Sequence, residues 1–218
     1  MGVDILYFLD HDLPLDNIQH FYDELKKRIP DKEIILCDCK KTPFYNIKSR
    51  KNVWYVLYGE NYPDISLDYE DDIYNIHLEL YKNVAECSEL EKNGNIVFNY
   101  LRWWQMIEYF KNNEKEGREW FLKMITTFNN TIQPILHSKK LLLTADSSSY
   151  THETMYGDFL MDQGKTIDEA LEMNNTFNPP CNIWKNEEAF GRPETDYDPL
   201  NDDDCGGPFF LFDLDKQY

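Results

Sequence analysis

Apolar and polar positions follow two distinct periods along this chain, and the changes of period mark the elements. Ile5-Leu6-Tyr7-Phe8-Leu9, closed by Asp10, reads as a first strand. Ile18, Phe21, Tyr22, Leu25 and Ile29 then recur at helical spacing, with Asp16 and Gln19 in a capping-box pattern ahead of them and Pro30-Asp31 as a stop. Glu33-Ile34-Ile35-Leu36-Cys37 is a short apolar run that predicts a strand buried on both faces, and Val53 to Tyr58 predicts a central strand. Residues 73–81 alternate strictly. Tyr74, Ile76, Leu78 and Leu80 share one face and Asn75, His77 and Glu79 the other, so one face of this strand is expected to meet solvent.

The middle of the chain reverts to the helical period. Ile96, Val97, Tyr100, Leu101, Trp104 and Ile107 form one stripe, and Trp120, Phe121, Met124, Ile125, Phe128, Ile132 and Ile135 a longer one, with a turn expected from Asn112 to Gly117. The pair predicts a helical hairpin packed on the sheet, its tryptophans in the core. Lys140 to Thr144 reads as a further strand. Met155, Tyr156, Phe159, Leu160 and Gln163 share a helical face before Gly164, a C-terminal stop, and Thr166 with Glu169 opens one more short helix. After Asn178-Pro179-Pro180 the chain is rich in Pro, Gly, Asn and Asp until a last apolar run, Phe209 to Phe212. There is no internal repeat and no Gly/Ser-rich linker. The pattern therefore predicts one α+β domain over residues 1–218, with a mixed, mainly antiparallel sheet, an N-terminal strand-helix-strand unit and helices mostly over one face.

Composition changes this picture little, but charge adds to it. The 218 residues hold 42% hydrophobic and 15% aromatic side chains, enough for a core and too many for a disordered chain. No apolar run reaches the ~18–20 residues of a membrane span, and the opening residues lack a basic signal-peptide region, so a cytoplasmic protein is expected. Five cysteines, an odd number, fit reduced thiols. The net charge is −18, and residues 151–218 alone carry sixteen acidic groups against four basic. The excess is concentrated in two blocks, Asp64 to Asp72 and an irregular acidic segment at about 186–207 with Asp202-Asp203-Asp204 at its heart. Such a field repels phosphate backbones and attracts basic partners, although charge runs are also ordinary solvated surface.

Candidate chemistry is sparse. Asp146, Ser147 and His152 stand where a strand would pass into a helix, and His11 lies between Asp10 and Asp12 at the end of the first strand. These are the residue types a hydrolase uses, yet no Gly-x-Ser-x-Gly elbow is present, and helix capping accounts for Asp146 to Glu153 equally well. Cys37 and Cys39 alternate on one strand, and two thiolates without a second pair do not make a zinc site. The run from Asp196 to Gly207 misses the spacing of a calcium loop. There is no phosphate loop, dinucleotide fingerprint or His-Glu-x-x-His helix, and no cofactor or metal is expected.

The order of features from about Trp120 to Tyr218 includes Lys139 to Leu143 leading into Asp146-Ser147-Ser148, a helix ending at Gly164, Asn178-Pro179-Pro180, and a closing Phe209 to Leu214. This order resembles uncharacterised bacterial immunity-type proteins encoded beside polymorphic toxins. The resemblance implies a stoichiometric function, in which the protein occludes a toxin's active site and catalyses nothing. The residues themselves offer a surface for a basic partner: Asp64, Tyr69, Asp71 and Asp72 in one block, Asp196, Tyr197, Asp198, Asp202, Asp203 and Asp204 in the other. Three readings follow. The first is an acidic binding protein that neutralises a basic partner, with no membrane and no direct nucleic-acid binding. The second is a small hydrolase using the loops at 10–12 and 146–153. The third is a nucleic-acid mimic presenting carboxylates in place of phosphates.

Overall fold

The computed structural model describes residues 4–31, 33–38, 53–58, 74–90, 115–146, 160–161, 163–174, 183–185 and 209–215. Eight strands form one sheet: β1 (Asp4–Asp10), β2 (Glu33–Asp38), β3 (Val53–Tyr58), β4 (Tyr74–Leu80), β5 (Val84–Leu90), β6 (Lys140–Asp146), β7 (Ile183–Lys185) and β8 (Phe209–Asp213). Their order across the sheet is β2-β3-β4-β5-β1-β6-β8-β7. β1 lies antiparallel between β5 and β6, and β4–β5 and β6–β8 are antiparallel as well. β2–β3, β3–β4 and β7–β8 are parallel. The α+β class and the mixed, mainly antiparallel sheet are those the periodicity predicts, and strands from residue 4 to residue 213 share the one sheet.

Among the described residues, four α-helices accompany the sheet: α1 (Ile18–Arg28), α2 (Lys115–Thr131), α3 (Gln133–Leu136) and α4 (Ile167–Asn174). Phe21 and Leu25 of α1, Met124 and Phe128 of α2 and Leu136 of α3 are fully buried with Leu9, Leu78, Leu141 and Phe212 in one cluster. Burial of each such side chain contributes about 1.5–3 kcal/mol. The opposite face carries Phe8, Val84 and Leu142, covered by Leu160 and by Ile167, Ala170 and Leu171 of α4. The alternation of Leu9 and Phe8 between these clusters explains why β1 reads as a continuous apolar run: a strand at the centre of a sheet covered on both sides has no polar face.

Several local expectations are met. Ile29 ends α1 because Pro30 disfavours a helical conformation in the residue before it. The capping box at α4 is complete: the backbone N–H of Thr166 donates to Glu169 Oε2 at 2.8 Å, and that of Glu169 donates to Thr166 Oγ1 at 3.1 Å. Glu169 is accordingly held below the usual glutamate range, first by the Thr166 backbone N–H and then by its hydroxyl. Gly164 takes φ +61°, the left-handed conformation that suits its place as a stop.

Other expectations are corrected. Asp16 and Gln19 form no capping box: a 3-10 turn, Leu15–Asn17, precedes α1, no side chain caps the helix, and Gln19 reaches forward to Asp23 at 3.0 Å. β2 lies at the end of the strand order, so Ile35 and Leu36 are only half buried. The polar face of β4 does not open to solvent at Glu79, which is 8% exposed and receives a hydrogen bond from the Tyr81 hydroxyl at 2.6 Å. α2 begins within the expected turn, at Lys115. The first helix of the hairpin, at 96–107, lies outside the described residues, as does most of the helix expected before Gly164. β5 and β7 were not foreseen, because Val84-Ala-Glu-Cys-Ser-Glu-Leu90 is poor in residues that favour strands and Ile183–Lys185 is three residues long.

Candidate functional site

The loop after β1 brings together three consecutive polar residues with three different tasks. Asp10 Oδ1 accepts hydrogen bonds from the backbone N–H groups of Lys139 and Lys140 at 2.7 and 2.6 Å, and Ser138 Oγ donates to the Asp10 carbonyl at 2.6 Å. It thereby fixes the entry to β6. His11 turns inward and is 8% exposed. Its Nδ1 accepts from the Leu13 N–H at 3.2 Å, which leaves Nε2 as the protonated nitrogen, donating to the Tyr81 carbonyl at 2.6 Å. Burial pushes this imidazole below the usual histidine range, opposed by the Tyr81 and Val84 backbone and by Asp10 and Asp12. A neutral ring with both nitrogens bound to backbone is a structural group and has no free nitrogen to act as a base.

Asp12 points outward, where its Oδ1 lies 3.0 Å from Nδ1 of His137. His137 follows α3 in the left-handed conformation, φ 55° and ψ 32°, and the Asp12 N–H donates to the Leu136 carbonyl at 3.4 Å. Backbone and side chain thus dock the end of α3 onto the end of β1. The Asp12 and His137 side chains are 73% and 67% exposed, so the pair is solvent-screened.

These two residues form one wall of an open cleft of about 440 Å³. Its lining includes Leu13 and Ile135, both buried, Pro14 and Pro134 beside them, Asn17 just before α1, and His20 and Glu24 of α1. Glu24 pairs with Lys27 and is held below the usual glutamate range, chiefly by that hydrogen bond. The cleft therefore presents two carboxylates and two imidazoles beside apolar residues, and among the described residues no lysine, arginine, serine, threonine or cysteine lines it. Among the described residues, no three His, Cys, Asp or Glu side chains are placed to hold one metal ion. The arrangement can accept hydrogen bonds from a cation, and among the described residues it offers no hydroxyl or thiol nucleophile.

The sequence singles out His11 and Asp12 but not the partners that matter. His20, Glu24 and His137 carry no local motif, and His137 lies 125 residues from Asp12. Asp146 is placed elsewhere: it pairs in register with Asp4, at the start of β1, whereas His11 follows the far end of that strand. Seven strand residues, about 20 Å, separate the two positions. The structure does not bring Asp146 and His11 into one site. Ser147 and His152 lie outside the described residues, as do Asp64, Tyr69, Asp71, Asp72, Asp196, Tyr197, Asp198, Asp202, Asp203 and Asp204.

Among the described residues, no helix is long and apolar enough to cross a membrane. No protein family, curated protein or solved structure matches this chain.

Proposed function

We propose that the chain is a non-catalytic acidic binding protein that holds a basic protein partner in the cytoplasm, in the manner of an immunity protein that neutralises a toxin by occlusion. The observation that carries this reading is the net charge of −18, concentrated in the blocks at 64–72 and 186–207. A field of that sign and size accelerates association with a basic protein and rejects nucleic acid. The cleft beside α1 agrees with it, because Asp12 and Glu24 line it and, among the described residues, no lysine or arginine does.

One observation favours a second reading. The Asp12–His137 pair has the carboxylate–imidazole geometry of a general base. A hydrolase built on it would use that base to activate water, since among the described residues no serine, threonine or cysteine lines the cleft.

The test is retention of a partner from lysate of the native cells on the tagged full-length chain, washed at low and then high salt. Binding predicts one basic protein held in a fixed ratio at low salt, released at high salt, and lost when Asp202, Asp203 and Asp204 are changed together to Asn. Failure to retain any basic protein in the low-salt wash overturns the reading. Competition by DNA for a retained partner would instead identify carboxylates standing in for phosphates. A hydrolytic activity abolished by His137→Gln would establish the second reading.

A further inference from the structure

We propose that the cleft between the start of α1 and α3 receives an arginine side chain of the basic partner. This deepens the binding reading above and rests on it for the source of the arginine.

Four features of the lining select that group. The floor is apolar, made by Leu13, Pro14, Pro134 and Ile135, and accommodates the methylene stem that a long basic side chain lays along apolar surface. Among the described residues, the charged groups lining the cleft are the carboxylates of Asp12 and Glu24. Each is engaged through one oxygen, Oδ1 with His137 and Oε1 with Lys27, and a carboxylate has a second oxygen that accepts. Among the described residues, no lysine or arginine lines the cleft.

The two imidazoles distinguish among cations. A guanidinium is planar, weakly hydrated and stacks on aromatic rings while presenting its N–H groups to carboxylates, and His20 and His137 line the cleft together with Asp12 and Glu24. An ammonium is a compact, strongly hydrated point charge that gains little from an imidazole face. A metal ion would need three converging ligands, which the described residues do not provide. The volume, about 440 Å³, is that of a small ligand cleft, a size that one long side chain can enter. A single protruding side chain is the occupant that fits.

The experiment is a titration of the full-length chain with N-acetyl-arginine amide, followed by NMR of the histidine ring carbons. His20→Gln and His137→Gln assign two of the signals, and N-acetyl-lysine amide and N-acetyl-glycine amide serve as comparison probes. The expected result is a saturable shift of the His20 and His137 signals with the arginine probe, a weaker response to lysine and none to glycine, while the buried His11 signal stays in place. Asp12→Asn and Glu24→Gln are each expected to weaken binding about tenfold, the value of one charge-assisted hydrogen bond. Unmoved His20 and His137 signals with the wild-type chain, or equal movement with glycine, overturn the proposal.

The two readings fail separately. A basic partner that is retained equally by wild type and by the Asp12→Asn, Glu24→Gln double variant overturns the cleft assignment and leaves the binding reading standing. An arginine probe that binds the cleft while no basic partner is retained overturns the binding reading and leaves an arginine site.

Discussion

His11 and Tyr81, seventy residues apart, are joined by a hydrogen bond of 2.6 Å from the imidazole Nε2 to the backbone carbonyl. Tyr81 is the first of the three residues between β4 and β5, a turn closed by its N–H to the Val84 carbonyl at 2.8 Å. The other side of this turn is held as well. His11 N–H donates to the Asn83 carbonyl at 3.1 Å, Asn83 Nδ2 donates to the Gly164 carbonyl at 2.5 Å, and the Lys82 side chain packs over Gly164. The turn is thus fixed between the loop after β1 and the stop before α4, and a side chain at Gly164 would meet Lys82 at 3.1 Å as well as an unfavourable φ.

The buried neutral state of His11 makes folding pH-dependent. Because burial lowers its affinity for a proton in the folded chain, the unfolded chain binds more protons once the pH falls below the ordinary histidine value of about 6.5. The stabilisation is complete above that value and declines as the medium becomes more acidic. Chemical denaturation between pH 7.5 and 5.5 is expected to show falling stability in the wild type and a flatter profile in His11→Phe. The variant should also be destabilised at pH 7.5 by about 1–3 kcal/mol, since Tyr81 O and Leu13 N lose their partner.

Asp10 offers a separation of shape from charge. Its Oδ1 accepts from two consecutive N–H groups at the start of β6. Asp10→Ala is expected to cost about 1–3 kcal/mol in thermal unfolding, and Asp10→Asn less than half of that, because an amide oxygen can still accept both bonds. Equal losses in the two variants would show that the charge rather than the acceptor matters.

The capping box at α4 predicts a local effect. Thr166→Ala is expected to destabilise the chain by about 1 kcal/mol and to raise hydrogen exchange at the first turn of α4 ahead of the sheet. Glu169 sits below its ordinary value, so its contribution is present above about pH 4.5 and is lost on acidification through its folded value. The variant should therefore show a smaller loss of stability below pH 4.5 than the wild type.

In the core, Phe128 is fully buried among the side chains of α1, α3 and the sheet. Phe128→Ala is expected to cost about 3–5 kcal/mol, read from a shifted denaturation midpoint, whereas Phe→Leu at the same position should cost under half as much. A loss below 1 kcal/mol would mean that α2 does not pack as described.

Much of the secondary structure can be read from side-chain period alone. The apolar runs at 5–9, 34–37, 53–58 and 209–212 and the stripe from Ile18 to Leu25 each became the element expected, because period and propensity are local properties that the chain carries in any context. Strand order was not legible in the same way. β1 and β2 flank one helix in sequence yet lie four places apart in the sheet, and the strand that separates β1 from β4, β5, has a sequence that does not advertise itself. Pairing is selected by which apolar faces can be buried together, a quantity summed over distant segments.

The cleft follows the same division. The sequence by itself determined the net charge, the α+β class and the unusual cluster Asp10-His11-Asp12, all of which depend on composition and near neighbours. Tertiary structure decided what each member of the cluster does. Alternate residues leaving a strand point to opposite sides, so His11 was buried against Tyr81 while Asp12 was turned out to meet His137. Folding brought a residue from position 137 into contact with that loop, and no local pattern encodes a contact across 125 residues.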